Sequence, residues 1–303
     1  MARSTLLVTG GTGLLGKALA ASIPPELQPY WTHLRDLPAG LAASRFTRLD
    51  VADRESVFRL FAELRPAAVV HAAAMGNVDF AEQNREAAWQ VNVGATQNIV
   101  DACGEYGARL IYLSSNAVFD GDHPPYNEVS PRHPVNSYGQ LKVEAEDLVL
   151  SSGLSWTLIR PILMYGWPYP HGRDNPVTTW IRQLGAGQSV KAVDDRYWQP
   201  LYVGDCAMLV WDVLQEQREG VFHIAGPQRL TMEEFARETA RVFQLEERLV
   251  QPVHSDFFPA LAPRPVDTSF DLTKLQREVG LQTMAPAVAL STMKATREAA
   301  CSS

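Results

Sequence analysis

The stretch Thr9-Gly10-Gly11-Thr12-Gly13-Leu14-Leu15-Gly16, directly behind the apolar run Leu6-Leu7-Val8, constrains this chain more than any other segment. Glycines at 10, 13 and 16 have separable tasks in a strand-to-helix turn. One permits the tight turn, one lets backbone approach a pyrophosphate, and one lets the helix pack closely on the strand. Exposed N–H groups at the helix start then meet negative charge. Glycine-rich turns are common. Behind an apolar strand and at the head of a strand–helix–strand run, this one marks a dinucleotide site, with the Val8 and Leu15 side chains as core.

That run is visible downstream. Residues 5–8, 30–34, 45–49, 68–71, 110–113 and 156–159 read as short apolar strands. Residues 14–22, 54–64, 86–106 and 137–150 carry helical spacing, and Val91, Ala95, Ile99 and Ala102 mark one long helix over 86–106. Strands alternating with helices imply parallel units, hence an α/β fold: a Rossmann-type doubly wound parallel sheet covered on both faces. After Pro161 the rhythm breaks. A loop rich in Gly, Pro and aromatics covers 165–176. Helices follow near 177–184, 205–215 and 232–243, with short strands at 190–192 and 221–224. Residues 259–265 carry three prolines, and the end past Lys294 reads as frayed. Two parts result: a dinucleotide-binding domain over residues 1–160, and a smaller C-terminal substrate-binding lobe over 161–303, interleaved with the sheet.

At 303 residues, 46% hydrophobic and 20% charged, the chain has material for a substantial core. A net charge of −7 argues against a nucleic-acid or anionic-membrane partner, though not against a local basic pocket. No apolar run approaches a membrane span, and a strand begins too early for a signal peptide, so a cytoplasmic protein is expected. Cys103, Cys206 and Cys301 are widely separated and read as reduced thiols. The seven histidines form no metal-type spacing, so no metal is expected.

The end of the second strand reads the adenosine ribose. An acid there bonds the 2′-hydroxyl of NAD, whereas an Arg accommodates the 2′-phosphate of NADP. Arg35 and Asp36 supply both, and Arg35, first past the strand's end, favours NADP; a solvated loop is the plain alternative. Asp50 and Val51 are placed to meet the adenine. Tyr138 and Lys142 lie one helical turn apart on one face. A phenol titrates near 10, and a neighbouring ammonium lowers that value, so Lys142 can prepare Tyr138 as an acid or base while bonding the cofactor ribose. Ser114 and Ser115 offer a hydroxyl at the carboxyl end of a parallel strand, where open α/β sheets place their sites.

The glycine turn, Asn92, Ser115 and Tyr138-x-x-x-Lys142 resemble the extended short-chain dehydrogenase/reductases over nearly the whole chain. Within them, the segment from Ser114 to Gly121, Pro125-Tyr-Asn-Glu128 and Pro134-Val-Asn-Ser-Tyr-Gly139 are similar to the dTDP-4-dehydrorhamnose reductase subgroup. They are similar also to the regulatory β-subunit of methionine adenosyltransferase. Asp195-Arg-Tyr-Trp-Gln-Pro200, Val203-Gly-Asp205 and Arg264-Pro265 agree. The resemblance implies Tyr138 as proton donor, Lys142 as its ribose-anchored partner, and Ser115, with Ser114 as fallback, on the substrate oxygen. It places Gly10, Gly13, Leu14, Leu15, Asp50, Val51, Ala72, Ala73, Asn92 and Pro161 at cofactor-contacting positions; Asn92 reads equally well as a bridge between buried backbone groups. The subgroup's usual Asp and Tyr after the hydroxyl residue are here Asn116 and Ala117, a pair unable to eliminate water as a dehydratase does.

In the lobe, the loop from Gly166 to Asn175 combines aromatics with Arg173 and an amide, and Arg196-Tyr197-Trp198-Gln199 forms a second such cluster. Such surfaces stack a base and clamp a diphosphate. Asn175, Trp198 and Arg264 are the substrate candidates, Arg264 on the strength of the resemblance. Trp180 and Trp211 read as core and His171 as a polar loop residue. The expected activity is NAD(P)H-dependent reduction of a 4-keto-6-deoxy nucleotide sugar, with NADP preferred over NAD. The alternatives are an NAD-retaining nucleotide-sugar epimerase and a non-catalytic NADP-binding regulatory subunit. A homodimer is the family expectation.

Overall fold

The computed structural model describes residues 5–38, 41, 43–258 and 262–302. Seven parallel strands form the central sheet. They are β1 (Leu6–Thr9), β2 (Pro29–His33), β3 (Phe46–Arg48), β4 (Ala68–His71), β5 (Arg109–Leu113), β6 (Trp156–Pro161) and the strand Gly220–Ile224. Their order is Gly220–Ile224, β6, β5, β4, β1, β2, β3, every neighbouring pair parallel. The winding reverses between β1 and β4, which opens a crevice at the carboxyl ends of these strands.

Continuous apolar runs such as Leu6-Leu7-Val8 lie buried because both faces of the sheet are covered. On one face α1 (Leu14–Ala21) packs with α8 (Val203–Gln215) through Leu15, Leu19, Val210 and Trp211. On the other, α2 (Arg54–Leu64), α5 (Ala95–Tyr106) and α6 (Ser137–Leu150) contribute Phe61, Ile99 and Val149. Thus α8 and the strand Gly220–Ile224, both from beyond residue 161, complete the sheet unit. A separate core, with Trp180, Phe235, Leu290 and Met293, joins α7 (Pro176–Gly185), the helix Met232–Val242 and the C-terminal helix.

Several elements differ from the sequence reading, among them β3, which covers Phe46–Arg48 where 45–49 was expected. The helix expected over 86–106 is α4 (Arg85–Trp89), a π-helical turn Gln90–Gly94 and α5, preceded by an unforeseen α3 (Val78–Gln83). The widened turn carries Asn92, whose Oδ1 accepts from Met75 N (3.1 Å) while Nδ2 donates to Met75 O (3.3 Å). Strand β2 ends at His33, one residue early. The C-terminal helix Pro286–Ser302 runs on past Lys294, anchored by buried Leu290 and Met293. Of the proline-bearing segment 259–265, residues 259–261 lie outside the described residues.

The third glycine of the turn sets how closely α1 meets the sheet. A Cβ on Gly16 would stand 2.5 Å from Gly11 O and 2.6 Å from Gly10 O. Gly16→Ala is therefore expected to destabilise the fold by about 1–3 kcal/mol, the usual cost of overpacking, measured by urea unfolding.

Candidate active site

Helix α1, like α8 packed beside it, starts without a side-chain cap. Its N-cap is Gly13, with no side-chain cap, whereas Asp53, Asn136 and Asn175 cap α2, α6 and α7. The first-turn N–H groups of α1 are left for a ligand. Gly10 adopts φ +74°, and a Cβ there would lie 2.9 Å from Ala73 N, so the turn and the end of β4 close on one another. Leu14 is half-buried and the Leu15 side chain is in the core. Along the adenosine direction Arg35 is exposed, second rather than first past β2. Asp50 is exposed, and buried Val51 is fixed by Asn98, whose Nδ2 donates to Val51 O at 3.1 Å.

The carboxyl end of β5 separates the two serines. The Ser114 hydroxyl is buried and donates to Glu146, so its proton is committed inward. Ser115 caps the short 3₁₀ turn Asn116–Val118, its Oγ accepting from Ala117 N at 3.1 Å, and bears on the Tyr138 phenol. Helix α6 approaches this turn so closely that a Cβ on Gly139 would overlap Ala117 O. Gly139, unmarked by the sequence reading beyond its motif, is what lets Tyr138 stand beside Ser115.

Tyr138 is 9% exposed, and burial raises its pKa; the Ser115 hydroxyl and the Arg173 guanidinium pull the other way. Lys142, expected to lower the phenol's pKa, is turned inward instead. Its Nζ donates to Tyr112 Oη (3.1 Å) and Leu113 O (2.8 Å) and lies over the Tyr112 ring. Burial pushes the ammonium down to about 8, opposed by Glu146 one turn further along α6. Glu146, fully buried, accepts from Arg160 Nε (2.9 Å) and Nη2 (2.7 Å) and from Arg132 Nη1 (3.2 Å). Arg160 Nη1 also donates to His223 Nε2 at 3.2 Å, which leaves the proton on Nδ1 for Tyr126 O. Pro161, next to Arg160, is buried at the end of β6.

On the substrate side the polar groups are engaged within the protein. Asn175 closes a capping box on α7, Oδ1 accepting from Thr178 N, while Nδ2 donates to Gly166 O at 2.7 Å. Trp198 sits half-buried in the short strand Tyr197–Trp198, paired antiparallel with Leu230–Thr231. Arg264 makes an ion pair with Asp79 of α3 at 2.9 Å. Asn116 Nδ2 donates to buried Thr268 at 2.6 Å, joining the turn after β5 to the C-terminal lobe. Arg173 reaches back over the cleft, its guanidinium 4.0 Å from where a Gly76 Cβ would stand. Among the described residues, no group of three or more His, Cys, Asp or Glu could hold a metal ion. No helix there is long and apolar enough to cross a membrane.

Residues 4–297 match the RmlD substrate binding domain family. The chain belongs to that family. It is 31% identical to the methionine adenosyltransferase 2 subunit beta of Rattus norvegicus, over 89% of this chain and 81% of that one. With the dTDP-4-dehydrorhamnose reductase of Aggregatibacter actinomycetemcomitans it shares 27% identity over 91% and 94% of the two chains. The solved dTDP-4-dehydrorhamnose reductase of Bacillus anthracis, in complex with NADP, superposes with a TM-score of 0.86 at 27% identity, covering 97% of this chain and 99% of that one.

Two buried imidazoles make this architecture acid-sensitive. Burial and neighbouring cations push His71 and His223 down to about 3, so both are neutral in the fold while an unfolded histidine takes a proton near 6.5. Their stabilising effect is present above pH 6.5 and is lost as pH falls toward 3. Between pH 7 and pH 5 the stability is expected to drop by about 2 kcal/mol per histidine, and urea unfolding of His223→Gln should show the shallower dependence.

Proposed function

We propose that the protein is an NADPH-preferring reductase of a 4-keto-6-deoxy nucleotide sugar, able also to take NADH. The observation that carries this reading is the meeting of three features at the sheet's switch point: an uncapped glycine turn, the Ser115 hydroxyl and the buried Tyr138 phenol. The cradle fits a dinucleotide, because a Cβ on Gly10 would collide with Ala73 and no side chain occupies the start of α1. The likeness to the dTDP-4-dehydrorhamnose reductases supports the substrate class.

Leu14 and Leu15 would hold the pyrophosphate by backbone N–H groups, with Gly10 and Gly13 closing the turn beneath it, Gly13 N donating to Gly10 O at 2.9 Å. Arg35, Asp50 and Val51 would face the adenosine, and Ala72, Ala73, Asn92 and Pro161 would line the rest of the groove. Bound there, the dinucleotide supplies the hydride. Tyr138, kept protonated by burial, gives its proton to the carbonyl oxygen as negative charge develops there. Ser115 donates to the same oxygen, and Arg173 with Ser115 favours the phenolate left behind. Lys142, held inward on Tyr112 and Leu113 O, would add a buried positive charge to the field of the site. Trp198 stacks the nucleobase, and Asn175 and Arg264 address the diphosphate, Arg264 by exchanging Asp79 for phosphate oxygens. Asn116-Ala117 supplies no acid–base pair for eliminating water. The same reading places the protein in the cytoplasm, as a homodimer.

A second reading is favoured by the 31% likeness to the methionine adenosyltransferase 2 subunit beta and by the altered Asn116-Ala117 pair: a dinucleotide-binding subunit of a larger assembly. A partner co-purifying in fixed stoichiometry, with no keto-sugar turnover, would select it. A dinucleotide that stays bound through turnover would select an epimerase.

Oxidation of NADPH and NADH against dTDP-4-keto-6-deoxyglucose tests the leading reading. Tyr138→Phe is expected to lower kcat by about 10²–10⁴ while cofactor affinity holds, and Arg35→Ala to narrow the preference for NADPH. Because Lys142 titrates near 8, kcat/KM for reduction should be level below that pH and fall above it. A wild type that binds NADPH and consumes none with this substrate would sink the reductase assignment.

A further inference from the structure

The mechanism leaves unused a buried titratable ring near the cleft, His71 at the end of β4, 1% exposed. Its hydrogen bonds can be assigned by counting protons. Thr9, the first residue of the glycine turn, accepts at Oγ1 from both Ala72 N and Ala73 N, each at 3.2 Å. With both lone pairs taken, its proton goes to His71 Nδ1 at 2.7 Å. Nδ1 is therefore an acceptor, and in a neutral imidazole Nε2 carries the hydrogen. Nε2 faces Thr96 Oγ1 at 3.4 Å, whose own proton is committed to Asn92 O at 2.7 Å. The face of the His71 ring packs against the Tyr112 ring, centroids 5.9 Å apart, and the Tyr112 phenol accepts from Lys142 Nζ at 3.1 Å.

One run of contacts therefore joins the glycine turn to Lys142: Thr9, His71 and Thr96 are linked by hydrogen bonds, and the His71 ring held between them packs on Tyr112, the partner of Lys142. We infer that His71, in its Nε2–H tautomer, is a positioning residue that locks the glycine turn and Lys142 into one frame, so that the cradle for the pyrophosphate and the Lys142 cation keep a set distance. His71 touches no reacting atom. It acts at one end through Thr9, which holds Ala72 and Ala73 against Gly10, and at the other through Thr96, whose bond to Nε2 sets the face that the ring presents to Tyr112. The inference rests on the dinucleotide-binding part of the function proposed above.

The two ends can be cut separately. In His71→Asn the short amide keeps an acceptor for Thr9 and loses Thr96; in His71→Gln the longer amide keeps a donor for Thr96 and loses Thr9. Fluorescence titration of NADPH into each apo variant is expected to leave Kd within about twofold of wild type for His71→Asn and to raise it about tenfold for His71→Gln, the worth of one buried hydrogen bond. The kinetic split should run the other way: kcat falls about tenfold in His71→Asn, with its fall near pH 8 displaced, and is retained in His71→Gln. Equal losses in both variants, matching His71→Leu, would mean that the ring merely fills space and would overturn the proposal. Nitrogen-15 shifts of the wild-type imidazole give an arm that needs no variant to fold: a protonated Nε2 supports the assignment and a protonated Nδ1 overturns it. The affinity and tautomer measurements require no sugar nucleotide, so they decide the role of His71 even where the substrate assignment fails.

Discussion

A single ammonium, buried to 2% exposure between β5 and α6, governs the ground plan of the cleft. A charge taken so far from water must find fixed partners or neutralise. Lys142 finds Leu113 O, the Tyr112 phenol and ring, and the field of Glu146. Glu146 is itself fully buried and is carried by Arg160, Arg132 and Ser114. Such a cluster is no source of net stability, since desolvation offsets most of the attraction, but removing any one member strands the others. Its consequence is geometric. α6 is pinned to β5 and β6 at one register, and Tyr138, one turn before Lys142, inherits its place beside Ser115.

The rest of the site is organised by which groups have been satisfied. Asn136 and Asn175 use their side chains on helix ends, Arg264 is engaged by Asp79, and Asn116 is engaged by Thr268. The last two contacts cross from the C-terminal lobe to the sheet unit and so hold the cleft's walls together. The start of α1 is left without such a group, with Gly13 where α2, α6 and α7 place a capping side chain. The electrostatics of the cleft follow from this division: free N–H dipoles at the turn, a guanidinium from Arg173 above, and an acid–phenol–ammonium floor below.

Much of this was legible in the residues themselves. The glycine turn, Tyr138 and Lys142 are bound by local backbone geometry, so spacing suffices to read them. His71, Thr96 and Tyr112 were not legible as a set, because they come from β4, α5 and β5 and meet only through the sheet's parallel register. The helix expected over 86–106 concealed a π-helical turn, since apolar spacing continues through it while the extra residue is demanded by Asn92 reaching Met75. Lys142 was expected to act on Tyr138 from one turn away; the fold instead draws its long side chain under the helix to the β5 backbone.

The sequence by itself determined the kind of sheet, the place of the glycine turn and the pairing of Tyr138 with Lys142 on one helix, because each depends on contacts within a turn of helix or one strand-to-helix junction. Tertiary structure alone decided how those residues are charged and oriented. Ser114 and Ser115 are neighbours in the chain, yet one faces Glu146 and the other Tyr138. Burial, which raises the Tyr138 phenol and lowers the Lys142 ammonium, belongs to the packed molecule and to no segment of it.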